Sequence, residues 1–520
     1  MLPGQNAMLQ PDVVLDNYEK HSYMSMLHKH YRSFSHISPP HFRWLKPPLT
    51  GLLALMVCAC ASVPAPPVSP LGFDVPANWA GTDSSSAAAQ TSLVDWWLRF
   101  NDPQLSMLIR HALVANTSIK GAQAALQQAR ALREAAGASL WPTLGSSASV
   151  QRSRNGDTTG NNFRVGLDAS WELDVFGANR SAVDASEAAA RASAANLGDV
   201  QVSIAAEVAL DYIALRSAQE RMAIAQANLT NQQETLQLTQ WRLQAGLVTT
   251  LEAEQARASA EQTAAQIPSL QTTISQTSHA LSVLTSQPPA ALLVGLAVVG
   301  PIPEAFGDLA MAFPADTLRQ RSDVRAAEFQ VSAASARASQ ADAQRLPSFK
   351  LGGSLGLSAI TLGALTNGTS VAAAVLASMS WPVLDGGAAQ AQLRAQQAAL
   401  AQAHATYQAT VLTALTEVED ALVALRGDQM RLSRLQNAFT SADIAANLAS
   451  QRYSSGLVDF QTVLETQRTR LGTQDSVASV RAAVSADHVR LYKALGGGWL
   501  PADANATAIP ASPLPRTPNS

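Results

Sequence analysis

One recurring spacing constrains this chain more than its composition does. Trp171-Glu-Leu-Asp-Val-Phe-Gly177 and Trp381-Pro-Val-Leu-Asp-Gly-Gly387 lie 210 residues apart. The same spacing relates Glu207-Val208 to Glu417-Val418, Arg216 to Arg426, and Leu281 to Leu491. It also relates Arg242-Leu-Gln-Ala-Gly-Leu-Val248 to Arg452-Tyr-Ser-Ser-Gly-Leu-Val458. A spacing held over more than a hundred residues without insertion describes a duplicated rigid element that tolerates no change of length. Upstream, Trp141-Pro142 matches Leu346-Pro347 and Ile119 matches Val324 at a spacing of 205. The five-residue difference therefore falls between residues 143 and 170, in a loop, where a change of length costs little.

Each copy reads as a helix, two strands, a very long helix, a glycine turn and another helix. No proline interrupts Gly177 to Gly246, or Val383 to Leu500, and helix-favouring Ala, Gln, Glu and Leu prevail there. A helix of about 68 residues is roughly 100 Å long, more than any globular core requires. The shorter helices, 104–140 and 247–284 in the first copy, together approach that length. The economical packing stacks them end to end beside the long helix, with small Ala and Ser faces allowing close approach.

Between the helices the polarity alternates. Phe163, Val165, Leu167, Ala169, Trp171 and Leu173 interleave with Arg164, Gly166, Asp168, Ser170 and Glu172. Phe349, Leu351, Leu355 and Leu357 interleave with Lys350, Gly352, Ser354, Gly356 and Ser358. Val371, Val375, Ala377, Met379 and Trp381 form a third apolar row, and Leu144, Ala148 and Val150 a weaker fourth. Alternation over about ten residues with an aromatic at the strand end is the pattern of a membrane β-strand. No window holds the roughly 18–20 uninterrupted apolar residues of a spanning helix, so a membrane crossing here uses strands. Four strands cannot close a barrel, and open edges do not survive in lipid. Two copies would give eight strands filled by their own side chains; three give twelve and leave a lumen, lined by the polar row.

The two cysteines, Cys58 and Cys60, end an apolar run, Leu49 to Val57, that follows Lys29, Arg32, Arg43 and Lys46 with no acidic residue among them. That is a secretory signal. Val57-Cys58-Ala59-Cys60-Ala61-Ser62 resembles a bacterial lipobox with Cys60 as the lipidated residue, so the mature chain has one acylated cysteine and no disulfide. Ala61 stands where an inner-membrane retention signal has Asp. Asp12, Asp16 and Glu19 do not suit a signal peptide, which places the start of translation at Met24 or Met26. The expected plan is a leader over 1–59, a lipidated linker over 60–93, repeats over 94–300 and 301–500, and a disordered tail over 501–520.

Charged residues make up 14% of the chain and the net charge is −3, which excludes a general nucleic-acid binder. Nothing forms a catalytic constellation. His111, His279, His404 and His488 are scattered, and no cluster has metal-ligand spacing. Gly352, Gly353 and Gly356 sit inside an alternating strand rather than in a phosphate loop. Glu417, Glu419 and Asp420 on a long helix suit a solvated or inter-helix capping role rather than catalysis. The chain is not expected to be an enzyme, or to hold a cofactor beyond the covalent lipid.

Over residues 94–501 the chain resembles the TolC-like outer-membrane factors, in particular the lipoprotein branch called the NodT family. The carriers are Trp97-Leu-Arg-Phe100-Asn-Asp102-Pro103-Gln-Leu105, Trp171-Glu-Leu-Asp174-Val-Phe176-Gly177 and Glu417-Val-Glu-Asp420-Ala-Leu, then Tyr453-Ser-Ser-Gly456-Leu-Val-Asp459-Phe and Leu491-Tyr-Lys-Ala-Leu-Gly-Gly-Gly-Trp499. In this order the set is specific, although each motif alone is weak. The family usually has Pro in place of Ser322; Ser322-Asp323 can cap the helix instead. The resemblance implies a homotrimer in which a 12-stranded transmembrane β-barrel continues into a periplasmic α-helical barrel. It also implies docking to a periplasmic adaptor and an inner-membrane pump. It makes the Gly246 and Gly456 turns the periplasmic tips, where the pore is gated by Tyr453, Asp459 and acidic rings at Glu252 and Glu465. The family's gate arginine, two residues after the second tip glycine, is Val458 here, so its closing salt bridge lacks a partner. Independently of the family, both glutamates follow a glycine turn near a helix start, where the helix dipole favours a carboxylate. The expected function is passive conduction across the outer membrane for an efflux or secretion pump. The alternative is a non-conducting coiled-coil lipoprotein spacer, which accounts for the lipobox and the helices but not for the strands.

Overall fold

The computed structural model describes Trp79 and residues 93–305 and 320–499. The leader, the lipobox with Cys60, most of the linker and the tail lie outside the described residues. The fold is mainly helical with one small antiparallel sheet. A 3-10 turn (Trp96–Phe100) leads into α1 (Pro103–Ala115) and α2 (Thr117–Ala138), then β1 (Thr143–Asn155), β2 (Thr158–Leu173), α3 (Ala178–Gln244) and α4 (Thr250–Leu284). The second repeat supplies α5 (Ser322–Ala343), β3 (Ser348–Ala359), β4 (Val371–Ser380), α6 (Ala388–Ser454) and α7 (Phe460–Ala494).

The two long helices, α3 and α6, are each 67 residues, and α4 and α7 are each 35. The constant spacing is thus the signature of two helices of identical length. Both long helices begin at a glycine N-cap, which has no side chain to offer the first N–H groups. An aspartate from the preceding bend does that work. Asp174 accepts from the N–H groups of Asn179 (3.0 Å) and Arg180 (2.9 Å), and Asp385 from those of Gly387 and Ala389 (both 2.8 Å).

The helix expected over 104–140 is broken at Asn116, which ends α1 and caps α2. Its side chain accepts from the N–H of Ser118 at 2.8 Å, while its Nδ2 donates to the Leu284 carbonyl, also at 2.8 Å. That bond joins the start of α2 to the end of α4, the end-to-end stacking anticipated from helix lengths. The second repeat repeats the device with different chemistry. Arg321, 205 residues after Asn116, donates from Nη1 to the Ala494 carbonyl at 2.8 Å, 210 residues after Leu284. Arg321 also pairs with Asp323 (2.6 Å) and with Glu417 of α6 (2.8 Å), so Glu417 joins α6 to the start of α5 through an ion pair. Of the expected Ser322-Asp323 cap, Asp323 serves the helix start, accepting from the Val324 N–H at 2.9 Å, while the N-cap position falls one residue earlier than expected. Arg321 is the N-cap and makes no side-chain cap bond, because a guanidinium carries only donors and cannot accept from the first helix N–H groups; it donates to Ala494 and Glu417 instead. Ser322 is the first helical residue and its hydroxyl turns to Asp199 of α3.

The strands pair in the order β1-β2-β3-β4. The register keeps the apolar row continuous: Val165 faces Ala148 and Leu357, Leu167 faces Leu355, Trp171 faces Leu351, and Leu173 faces Phe349, which faces Met379. The polar row carries its own contacts, Ser147 to Asp168 at 2.7 Å and Lys350 to Glu172 at 3.4 Å. Val165, Leu167, Leu355, Val375 and Met379 are all exposed. β1 and β2 meet in a two-residue turn at Gly156-Asp157, whereas β3 and β4 are joined through residues 360–370, which absorb the five-residue difference between the repeats. Gly166 and Gly356 face each other; a Cβ on Gly356 would lie 2.7 Å from the Val165 carbonyl oxygen. Among the described residues no helix is long and apolar enough to cross a membrane.

Midway along α3 and near the C-terminal end of α7, a core of Trp96, Trp97, Phe100, Tyr212 and Tyr492 anchors both repeats. Trp96 stacks on Tyr492 with centroids 5.4 Å apart. The Asp102-Pro103 motif is explained here. Asp102 caps α1 and also accepts from the Tyr212 hydroxyl at 2.9 Å. Buried Arg216 donates to the Val298 carbonyl at 2.6 Å and to Gln219 at 2.7 Å.

Candidate functional site at the helical tips

Both tips are built the same way. In each, the glycine N–H bonds back to the last turn, Gly246 to Leu243 and Gly456 to Tyr453, both at 3.0 Å. The next residue closes the motif, Leu247 onto the Arg242 carbonyl and Leu457 onto that of Arg452. Both glycines have φ 73°, a left-handed conformation that a side chain disfavours and that ends a helix in this manner. α4 and α7 each start four residues after the glycine, at Thr250 and Phe460.

The starts differ. Asp459 is the N-cap of α7 and accepts from the Thr462 N–H at 2.9 Å. The Thr462 hydroxyl, then its N–H, hold the Asp459 carboxyl below the usual range. Thr249 occupies the matching place before α4 but makes no side-chain cap bond, and Glu252 supplies the only acidic group of that first turn. Glu465 lies beyond the first turn of α7 and is exposed, whereas Glu252 is half-buried, with Oε2 buried and unpartnered among the described residues. The two glutamates do not occupy equivalent positions: Thr462 matches Glu252 and Gln255 matches Glu465 at the 210 spacing.

Tyr453 is the centre of the site. Its ring lies 5.4 Å from that of Phe460, and both belong to a small apolar cluster with Leu464, Leu236 and Ala256. The Arg242 guanidinium sits over the Tyr453 ring at 4.8 Å. Thus a tyrosine from the tip of α6 is covered by an arginine from the tip of α3, and the two repeats meet through these side chains. The Tyr453 hydroxyl is buried without a hydrogen-bond partner among the described residues. Sequence reasoning placed Tyr453, Gly246, Gly456, Glu252 and Asp459 in one region but missed Arg242 and Phe460. The signal for Arg242 was present: it opens the tip motif that is duplicated as Arg452. Which of the two arginines meets Tyr453 is a matter of packing.

Higher on the rod, α3 and α7 are joined by Arg221 to Asp475 (2.7 Å) and Arg481 to Glu220 (3.1 Å). Asp211 on α3 is partly buried; burial, and then the charge of Glu207, push its carboxyl up to about 6. Among the described residues no group of three or more His, Cys, Asp and Glu side chains could hold a metal.

The outer membrane efflux protein family model matches residues 108–287 and 313–497. The chain is 33% identical over 470 residues to the pyoverdine export outer membrane protein OpmQ of Pseudomonas putida, covering 86% of this chain and 96% of that protein. It is 30% identical over 453 residues to nodulation protein T of Rhizobium leguminosarum bv. viciae, covering 86% and 93%. Among solved structures, the outer-membrane channel OprN matches with a TM-score of 0.77 at 33% identity, covering 82% of this chain and 98% of that one. Duplicated rods, a four-stranded sheet of split polarity and these matches agree: the chain belongs to the outer membrane efflux protein family and is the outer-membrane channel component of an efflux pump, with a periplasmic helical extension.

Proposed function

We propose that three copies of this chain close a 12-stranded barrel in the outer membrane, continued by a helical tunnel whose tips form the gate. The observation that carries this reading is the sheet. It has an exposed apolar face, a polar face and two unpaired edges, β1 and β4. In lipid both edges must be paired, and β4 of one copy against β1 of the next does so. Twelve strands leave an open lumen where eight would not.

The helices support the same ring. Among the described residues α3 packs along α2, α4, α5 and α7, whereas α6 packs along α5 and α7 alone to any extent. Val202 of α3 is 4% exposed, while its counterpart Leu412 on α6 is 50% exposed. A neighbouring copy that offers its α2 and α4 to α6 covers that face and repeats the packing already present within the chain. Such head-to-tail contacts close into rings.

In this reading the chain conducts passively, an inner-membrane pump supplies the energy, and a periplasmic adaptor docks at the tips. Similar proteins include a pyoverdine export outer membrane protein; the cargo here is a drug, metal, small organic molecule or peptide delivered by the pump. Cys60 carries the lipid anchor. The gate is the Tyr453–Arg242 contact with Phe460 beneath it, flanked by Glu252, Asp459 and Glu465, and it replaces the pairing that Val458 cannot make. Heat-modifiable trimer migration in detergent together with single-channel conductance in a planar bilayer tests the reading. A monomeric, non-conducting species overturns it and favours the spacer.

A further inference from the structure

The β1–β2 hairpin outruns its neighbours. Pairing between β2 and β3 stops at Phe163 opposite Ala359, whereas β1 and β2 stay paired to Asn155 opposite Thr158. Along β1 the apolar face carries Leu144, Ser146, Ala148 and Val150, and then Arg152 and Arg154. On β2 the same face carries Phe163, then Asn161 and Thr159, which lie opposite those two arginines. The change from apolar to basic therefore falls at one level, immediately past the Val150–Phe163 pair. Two extended residues advance roughly 7 Å, so the arginines stand about 7 and 14 Å beyond the last apolar pair.

They belong to the lipid-facing side rather than to the pore. On the opposite row the same stretch presents Gln151, Ser153, Gly160 and Asn162, none of them charged. The lipid-facing row of the hairpin contains no acidic residue. Both arginines are exposed; the Arg152 side chain has no hydrogen bond or ion pair among the described residues, and that of Arg154 commits only Nε, to the Gly156 carbonyl at 3.2 Å. Their remaining guanidinium N–H groups are free. The positions matching them at the 205 spacing, Leu357 and Ala359, are apolar, so the second repeat has no such pair. All four strands connect to helices at their other end. With the helices in the periplasm, the hairpin tip lies at the outer leaflet.

We infer that Arg152 and Arg154 form a binding site for the phosphate groups of a phosphorylated lipid of the outer leaflet, one site per chain. This rests on the membrane-spanning reading of the sheet. Guanidinium groups suit the task because their planar donors engage phosphate oxygens in pairs, and a headgroup phosphate sits directly above the hydrocarbon that meets Val150 and Phe163. The site would fix the barrel's depth and hold a shell of lipid round it.

The test uses the full-length protein in detergent, titrated by native mass spectrometry with bis-phosphorylated lipid A, with dephosphorylated lipid A and with inorganic phosphate. The parent should bind the bis-phosphorylated lipid about tenfold more tightly than the dephosphorylated one. Arg152→Gln/Arg154→Gln should lose that preference, and Arg152→Lys/Arg154→Lys should keep part of it. Equal preference in the parent and the Gln variant overturns the site. Competition by inorganic phosphate at concentrations comparable to the lipid makes it a free-anion site and overturns the lipid assignment. Conductance measured on the same variants reports on the pore itself, so loss of the pore and loss of the lipid site are separable.

Discussion

Replacing Arg242 by Ala removes the cation that covers Tyr453 at 4.8 Å and leaves the backbone of the tip intact, since the tip bonds use the Arg242 carbonyl. Both residues are half-buried, which puts the cation–π contact between its exposed and desolvated values, at about 1 kcal/mol. If opening separates all three copies in the ring together, the closed state loses about 3 kcal/mol, which raises the open-to-closed ratio by roughly a hundredfold. Arg242 also lies in the last turn of α3, but its favourable interaction with the helix dipole is present whether the tip is closed or open and cancels. The assay is single-channel recording of purified protein in a planar bilayer, scored as open probability at low voltage. Tyr453→Ala should match Arg242→Ala. Tyr453→Phe should stay closed, because the ring is kept and the hydroxyl it loses has no partner among the described residues. An Arg242→Ala trimer with parental open probability would refute the reasoning, as would a Tyr453→Phe variant that opens like the alanine form.

Three further outcomes are expected. Gly356→Ala should lower the yield of folded, heat-modifiable protein, at a cost of about 1–3 kcal/mol, because its Cβ meets the Val165 carbonyl at 2.7 Å; Gly353→Ala, with 3.7 Å to the nearest atom, should be tolerated. Asn116→Ala should lower thermal stability followed by circular dichroism by about 1–2 kcal/mol, and Asn116→Asp, which keeps the cap acceptors but loses the bond to Leu284, should recover only part of it. Asp211→Asn should stabilise the protein at pH 7 to 8 and have no effect near pH 4. The carboxyl is raised to about 6, so its charged form opposes folding fully above that pH and the opposition disappears as pH falls towards the ordinary aspartate value. A shift of this size corresponds to roughly 3 kcal/mol before discounting, and solvent access reduces it to about 1 kcal/mol; a melting difference independent of pH would contradict the assignment.

Much of the architecture was legible because it depends on counting. A rod of two equal helices admits no insertion, so the 210 spacing recorded it directly, and the alternation of Phe163 to Leu173 recorded a sheet with unlike faces. The tip glycines were legible for a related reason: a helix that ends in a left-handed residue needs glycine there. The break at Asn116 was less visible, since Ala115-Asn116-Thr117-Ser118 carries no proline or glycine and a single Asn is tolerated inside helices. The cap at Ser322 was misplaced for a different reason. Local rules favour serine or aspartate at that position, but the buried guanidinium of Arg321 has partners at Ala494 and Glu417, contacts more than ninety residues away that no local rule can register.

By itself the sequence determined the duplication, the lengths of the rods, the two faces of the sheet and the places where the chain must turn, because each follows from periodicity or from one residue's backbone freedom. It also carried the family, through motifs that are weak singly and specific in order. Only the tertiary structure decided which side chains meet. Arg242 and Arg452 are equivalent in the repeat, yet it is Arg242 that lies over Tyr453, because α3 of the first repeat packs beside α7 of the second. Likewise only the strand register places Arg152 and Arg154 on the apolar face, one step beyond its end. Periodicity is a property of a segment, whereas a contact is a property of two segments brought together by packing.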